Sequence, residues 1–86
     1  SDVYKRQELV SPEGEAVVMK IFESEKIYEA HQLAVGTVVT DGKKYIKVAV
    51  PDGFVSVLSL QLPGKKRLKT DELLRGFRLS DGYKMN

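Results

Sequence analysis

The residues most able to do chemistry are cations. Lys65, Lys66, Arg67 and Lys69 fall within five positions, and Arg75 and Arg78 follow shortly after. They begin where an apolar run stops at Pro63-Gly64 and continue into a short segment of helical character that opens at Thr70. Such a cluster suits a polyanion. Each phosphate neutralised by a lysine or arginine releases counterions, and four to six contacts would give a log-log salt slope of roughly −3 to −5. The unpaired N–H groups at the start of a helix favour an anion as well. This would be a grip on a phosphate backbone, since the chain has few aromatics and no ribonucleoprotein-type motif. Tyr45 and Tyr83 would stack on bases only if exposed. On composition alone, a solvated corner that keeps a small domain soluble is the favoured account of the cluster, ahead of a phosphate grip.

Nothing else in the chain forms a reactive set. His31 is the only histidine and there is no cysteine, so neither a serine nor a cysteine nucleophile has a complete partner set. His31 is expected as a surface or hydrogen-bonding residue of a loop. The pairs Glu13/Glu15 and Glu23/Glu25 stand two residues apart, a spacing that puts both carboxylates on one exposed side of a strand, as a solvated acidic edge. No glycine-rich phosphate loop, dinucleotide fingerprint or metal-ligand spacing is found, so no catalytic, cofactor or metal residue is assigned.

The charge is polarised along the chain although the net charge is only +2. Between residues 8 and 30, six glutamates stand against Lys20 and Lys26. Between 63 and 78, the six cations stand against Asp71 and Glu72. A chain so divided can present a basic face while near neutral overall. Eighty-six residues, 42% hydrophobic and 30% charged, describe one small domain. The lack of cysteine excludes disulfides and fits a reducing cytoplasm. No apolar run approaches the roughly 18 residues of a membrane span, and no secretory signal is recognisable. A cytoplasmic monomer without membrane contact is the expectation.

The elements that must position the cations are mostly strands. Turn sequences recur at SPEGE (11–15), TDGKK (40–44), PDG (51–53) and PG (63–64), separating runs rich in Val, Ile, Tyr and Phe. In EAVVMKIFESEKIY, Val17, Met19 and Ile21 share one face, while Val18 and Phe22 break the alternation and suggest a bulge or burial on both faces. Residues 28–36 read as a loop across a barrel end. GTVVTDGKKYIKVAV reads as a hairpin turning at Asp41-Gly42. FVSVLSLQL places Phe54, Leu58, Leu60 and Leu62 on one side, with Val55, Val57, Ser59 and Gln61 on the other. One helix is expected, with Thr70 as its N-cap, Asp71 and Glu72 in its first turn, Leu73, Leu74 and Phe77 on its apolar side, and Gly76 ending it in the left-handed conformation. The fold class is therefore mainly β: a small OB-like antiparallel barrel, open or truncated in some measure, of about five strands in meander order with one short C-terminal helix.

The string LSLQLPGKKRLKTDELLRGFRL (58–79) closely resembles a signature near the end of methionyl-tRNA formyltransferases, carried here by Leu60, Gln61, Pro63, Gly64, Lys65, Lys66, Leu68, Asp71, Leu74 and Gly76. The upstream GTVVTDGKKYIKVAVPDGFVSV is similar to that family's pattern too. The resemblance implies a C-terminal barrel that follows a Rossmann-like catalytic domain absent from this chain. It implies a parent enzyme that transfers a formyl group from 10-formyltetrahydrofolate to the amino group of initiator methionyl-tRNA in translation initiation. Catalytic and folate-binding residues would lie in the missing domain. A tRNA-holding basic surface carries over to Lys65 and Lys66, and charge clustering extends it to Arg67, Lys69, Arg75 and Arg78. SDVYKRQ does not fit the family and resembles translated adapter sequence. The expected organisation is a non-native leader at 1–7, the barrel domain at 8–82 and a tail at 83–86. Two alternatives remain: a structural barrel that shields the catalytic domain, and the barrel of a related formyltransferase acting on a nucleotide sugar or within a multi-domain folate enzyme. An autonomous enzyme is the least expected.

Overall fold

The computed structural model describes residues 5–86. Its elements run β1 (Lys5–Val10), β2 (Ala16–Tyr28), β3 (Val38–Thr40), β4 (Ile46–Val50), β5 (Gly53–Gln61), β6 (Leu68–Lys69), α1 (Thr70–Gly76) and β7 (Lys84–Met85). The strands pair antiparallel in the order β3-β4-β5-β2-β1-β7, and β6 adds to β5. The two ends of this order meet. The Met85 N–H donates to the Gly36 carbonyl at 2.8 Å, and the Val38 N–H to that of Tyr83 at 3.3 Å. The sheet is thus a nearly closed barrel, as the turn spacing and strand composition lead one to expect.

The strand order is not a meander, because β2 lies beside β5 instead of β3. Thirteen residues make β2 long enough to serve two partners. Its first half pairs with β1, from Ala16 opposite Val10 to Ile21 opposite Lys5. From Lys20 to Tyr28 it pairs with β5. Between Ile21 and Ser24 the β2–β5 register shifts twice. Phe22 is the extra residue on β2 and Leu58 the extra residue on β5, after which the original register resumes. Bulges of this kind bend a strand and increase its twist, which a sheet must do to curl into a barrel. The break in alternation at Phe22 was the visible sign of it in the sequence.

The same two bulges correct the expected faces of β5. Leu58 was expected beside Leu60 and Leu62 on the apolar side, yet it is 42% exposed. Val57, Leu60 and Leu62 enter the core, and Ser59 is buried. One inserted residue reverses the phase of everything beyond it. The barrel interior is filled by Leu9, Met19, Ile21, Val38, Ile46 and Met85 from the other strands, with Leu73 and Leu74 of α1 packed on top.

The helix has different ends from those expected. Lys69 is the N-cap, and its backbone N–H is taken by the Glu72 carboxylate at 2.9 Å. Thr70 is the first helical residue. Its hydroxyl is buried and donates across to the Val57 carbonyl of β5, a stronger demand on that side chain than capping. Gly76 keeps negative φ, and the chain leaves the helix through an extended Phe77 whose N–H returns to the Leu73 carbonyl at 2.9 Å. Leu73 and Leu74 are buried and Phe77 half-buried, as expected. At seven residues the helix depends on this docking for its existence.

Two segments set apart in the sequence contribute to the sheet. Residues 83–86, offered as a tail, include β7, whose Met85 is buried and which joins β1 to the residues before β3. Lys5–Gln7 pair with Ile21–Met19. The carboxylates Glu23 and Glu25 are exposed on the second half of β2, which pairs with β5 on one side and, among the described residues, lies beyond the last β1 partner, Lys5 opposite Ile21, on the other.

Residues 29–36 do cross the barrel end, and His31 fixes them there. Its Nε2 lies 2.7 Å from the Val50 carbonyl and 2.9 Å from that of Gly53, while Nδ1 accepts the Leu33 N–H at 3.0 Å. The ring packs on Phe54 with centroids 4.7 Å apart. These bonds assign the single histidine a structural part. Gly53 is tightly enclosed beside it, since a Cβ there would lie 1.9 Å from the Ile27 carbonyl oxygen of the paired strand. Gly53→Ala should therefore destabilise the barrel by about 3 kcal/mol or more in urea unfolding. Gly64→Ala, with open space around its Cβ and only a positive φ of 73° to oppose it, should cost about 1 to 2 kcal/mol. Equal losses at the two sites would contradict the packing described.

Candidate nucleic-acid interface

The six cations singled out in the sequence are all exposed, and they divide by the way each is held. Lys65 and Lys66 ride the loop between β5 and β6. That loop opens with a turn in which the Lys65 N–H donates to the Leu62 carbonyl at 3.1 Å. Pro63 and a positive-φ Gly64 at its centre are the residues a type II turn selects. The Gln61 amide steadies the loop from below by donating to the Lys65 carbonyl at 2.7 Å. Lys20 and Val18 of β2 line the same hollow as Pro63 and Gly64, which sets Lys20 beside the turn that leads into Lys65 and Lys66.

Arg67 is held firmly. Its guanidinium lies 4.3 Å from the centroid of Phe22, the bulge residue of β2, and its Nε donates to the buried Ser59 hydroxyl at 2.9 Å. Stacking and one bond fix the plane of the group, while its terminal amino groups have no carboxylate partner among the described residues. A fork so fixed loses little freedom on meeting a phosphate.

Lys69, Arg75 and Arg78 flank α1. Arg75 reaches back to Asp71 at 3.6 Å, an exposed i,i+4 pair of small energetic weight. The turn between β3 and β4 stands opposite the helix. Gly42, Lys43 and Lys44 share a groove with Asp71, Leu74 and Arg75, and Gly42 shares a further hollow with Arg75 and Arg78. Lys43 and Lys44 are thus members of the basic surface that sequence clustering missed. They lie more than twenty residues from the cluster in the chain, and no local signal indicated that the hairpin tip folds against the helix. Lys47, by contrast, sits at the His31 end of the barrel, 4.2 Å from the Phe54 centroid and 3.9 Å from Glu29. Lys26 pairs with Asp52 at 2.9 Å. Cations there are engaged with carboxylates, whereas Lys43, Lys44, Lys65, Lys66 and Arg78 have no ion-pair partner among the described residues.

The helix N-terminus offers less to an anion than expected, because Glu72 already accepts the Lys69 N–H. Tyr83 is half-buried and packs edge-on to Phe77, with centroids 6.5 Å apart, so it does not present a face for stacking. Tyr45 is 38% exposed and does. Among the described residues no cluster of His, Cys, Asp or Glu is suited to a metal ion, and no helix is long and apolar enough to cross a membrane.

Residues 10–78 match the family of formyl transferase C-terminal domains. The chain belongs to that family. A methionyl-tRNA formyltransferase of Bacteroides thetaiotaomicron is 99% identical over 79 residues, covering 92% of this chain and 24% of the relative. One from Bacteroides fragilis is 74% identical over 78 residues, and one from Flavobacterium johnsoniae 46% identical over 72. The chain spans about a quarter of the length of these relatives. As a formyl transferase C-terminal domain it contains the loop of Lys65 and Lys66 and the whole of α1 within the matched residues.

The hairpin tip that brings in Lys43 and Lys44 is organised by Asp41. Its Oδ1 accepts the N–H groups of Lys44 at 2.8 Å, Lys43 at 2.9 Å and Tyr45 at 3.2 Å. These donors, that of Lys44 foremost, lower the carboxyl from its ordinary 3.8 to about 2. A folded-state value below the unfolded one stabilises the fold above about pH 4, and the gain disappears as pH falls through about 2. Asp41→Asn should therefore be less stable than the unaltered chain at pH 6 and approach it near pH 2, as followed by thermal melts across that range. A difference that stays constant with pH would contradict the assignment.

Proposed function

We propose that this domain is the tRNA-holding C-terminal module of a methionyl-tRNA formyltransferase, and that its basic surface grips the phosphate backbone of initiator tRNA. The parent enzyme would transfer a formyl group from 10-formyltetrahydrofolate to the amino group of the methionine on that tRNA, in the cytoplasm. The chemistry and the folate pocket would belong to a preceding Rossmann-like domain. The observation that carries this reading is the contrast in charge pairing. Cations at the His31 end are matched to Glu29 and Asp52, while those on the β5–β6 loop and the β3–β4 tip have no carboxylate partner among the described residues. The names of the relatives favour tRNA over a nucleotide sugar as the substrate carrier.

A second role is favoured by a separate observation. Tyr28, Leu33 and Val35 are 77%, 44% and 66% exposed on or beside the loop that His31 pins in place. Rigidly displayed apolar side chains suit a contact with the rest of a parent chain about four times longer. The two roles use different surfaces and are compatible.

Reversing charge in Lys65→Glu/Lys66→Glu should lower tRNA affinity by more than tenfold at low salt and reduce the log-log salt slope by about two. The melting temperature should stay nearly unchanged, since neither side chain is buried or paired among the described residues. Filter binding against tRNA over a range of potassium chloride measures both quantities. Equal affinity for the double variant would end the assignment.

A further inference from the structure

On its outer edge β5 has two partners with a break between them. β4 covers β5 from Gly53 to Val57, and β6 covers Ser59 and Leu60. Leu58 falls in the break. It is also the residue inserted by the β5 bulge, which turns its side chain out to 42% exposure. The Thr70 hydroxyl occupies one backbone carbonyl at the break, that of Val57. On one side of the opening stand Lys44 and Tyr45, just before β4; on the other stand Lys69 and Asp71, at the end of β6 and the start of α1. Glu23 completes the rim. The hollow measures about 350 Å³, within the roughly 300 to 1,000 Å³ of small-ligand sites.

We propose that this break is a seat for one unstacked nucleobase of a bound RNA, packed on Leu58 and Tyr45, with the phosphates to either side held by Lys44 and Lys69. The inference rests on the RNA-holding reading above and adds to it a contact that a duplex cannot make. An apolar floor is what a base face requires, and an exposed tyrosine supplies the adjoining plane. Lys47 sits 5.5 Å from the Tyr45 centroid and leaves the ring 38% exposed. The groove continues past Lys43 and Arg75, so lysines and an arginine line the path away from the seat and outnumber Glu23 and Asp71. Those two carboxylates lie where they can accept the amino or imino hydrogens of a base edge. The bulge gives the site its particular form: Leu58 is exposed while Val57 before it and Leu60 beyond it both stay in the core.

The test titrates the chain with an unpaired hexaribonucleotide and with a blunt RNA duplex, following the Leu58 methyl and Tyr45 ring resonances by NMR. The hexanucleotide should shift both sets, and the duplex should leave them unmoved. Tyr45→Ala/Leu58→Ser, both at exposed positions, should weaken hexanucleotide binding about five- to tenfold with an unchanged salt slope. Its affinity for the duplex should stay within about twofold. Unmoved resonances under saturating hexanucleotide, or equal loss for both RNAs, would overturn the inference while the backbone grip stood on the Lys65→Glu/Lys66→Glu result. If that charge-reversed variant holds tRNA as well as the unaltered chain while the hexanucleotide still marks Leu58, the seat stands and the grip falls. Should neither RNA bind, both are overturned.

Discussion

The long pairing of β2 with β5 is the constraint on which the rest of the molecule depends. β2 holds β1 with its first half and β5 with its second, so the barrel closes only if this one strand bends between them. The bend is made by two single-residue insertions, Phe22 on one strand and Leu58 on the other, that cancel in register. Each also places a side chain. Phe22 becomes the platform on which Arg67 lies, and Leu58 becomes the floor of the opening between β4 and β6. A device that satisfies the geometry of closure thereby shapes the surface where the cations gather.

The charge distribution follows from the same topology. The barrel has an end where loop 29–36 is sewn down by His31 and where Lys26 and Lys47 meet Asp52 and Glu29. Around α1 the cations come from two distant stretches, Lys43 and Lys44 of the β3–β4 tip and Arg75 and Arg78 of the helix and its exit. Pairing neutralises the first group locally, and its reach into solvent is short at physiological salt. The second group keeps most of its charge, with only Arg75 among the described residues in a weak exposed pair.

Much of this was legible from residues alone. Turn chemistry at SPEGE, TDGKK, PDG and PG marked the corners, and β-branched residues between them marked the strands. The Asp-Glu first turn and the Leu-Leu pair marked the helix. The break at Phe22 suggested a bulge or burial on both faces, and the bulge is what the structure has. What was misjudged shares one cause. Thr70 and Gly76 fit the local rules for helix ends, yet the Thr70 hydroxyl is claimed by β5 and the helix ends on an extended Phe77. Leu58 fits a period-two pattern that holds only until a partner strand inserts a residue. Lys84 and Met85 show too little pattern to read as a strand, and they become one because the rims of β1 and β3 need a partner between them.

The sequence by itself determined the class of the fold, the positions of its turns, the absence of disulfide chemistry and the density of cations after Pro63-Gly64. These depend on contacts between near neighbours, where backbone preference and side-chain alternation act directly. Only the tertiary structure decided the strand order, the compensating bulges, the joining of Lys43 and Lys44 to the helix flank and the pinning of Arg67 on Phe22. Each of those links residues far apart in the chain, and closing such a link costs chain entropy that only cooperative burial of the whole core repays. A local pattern carries no record of which distant partner the core will select.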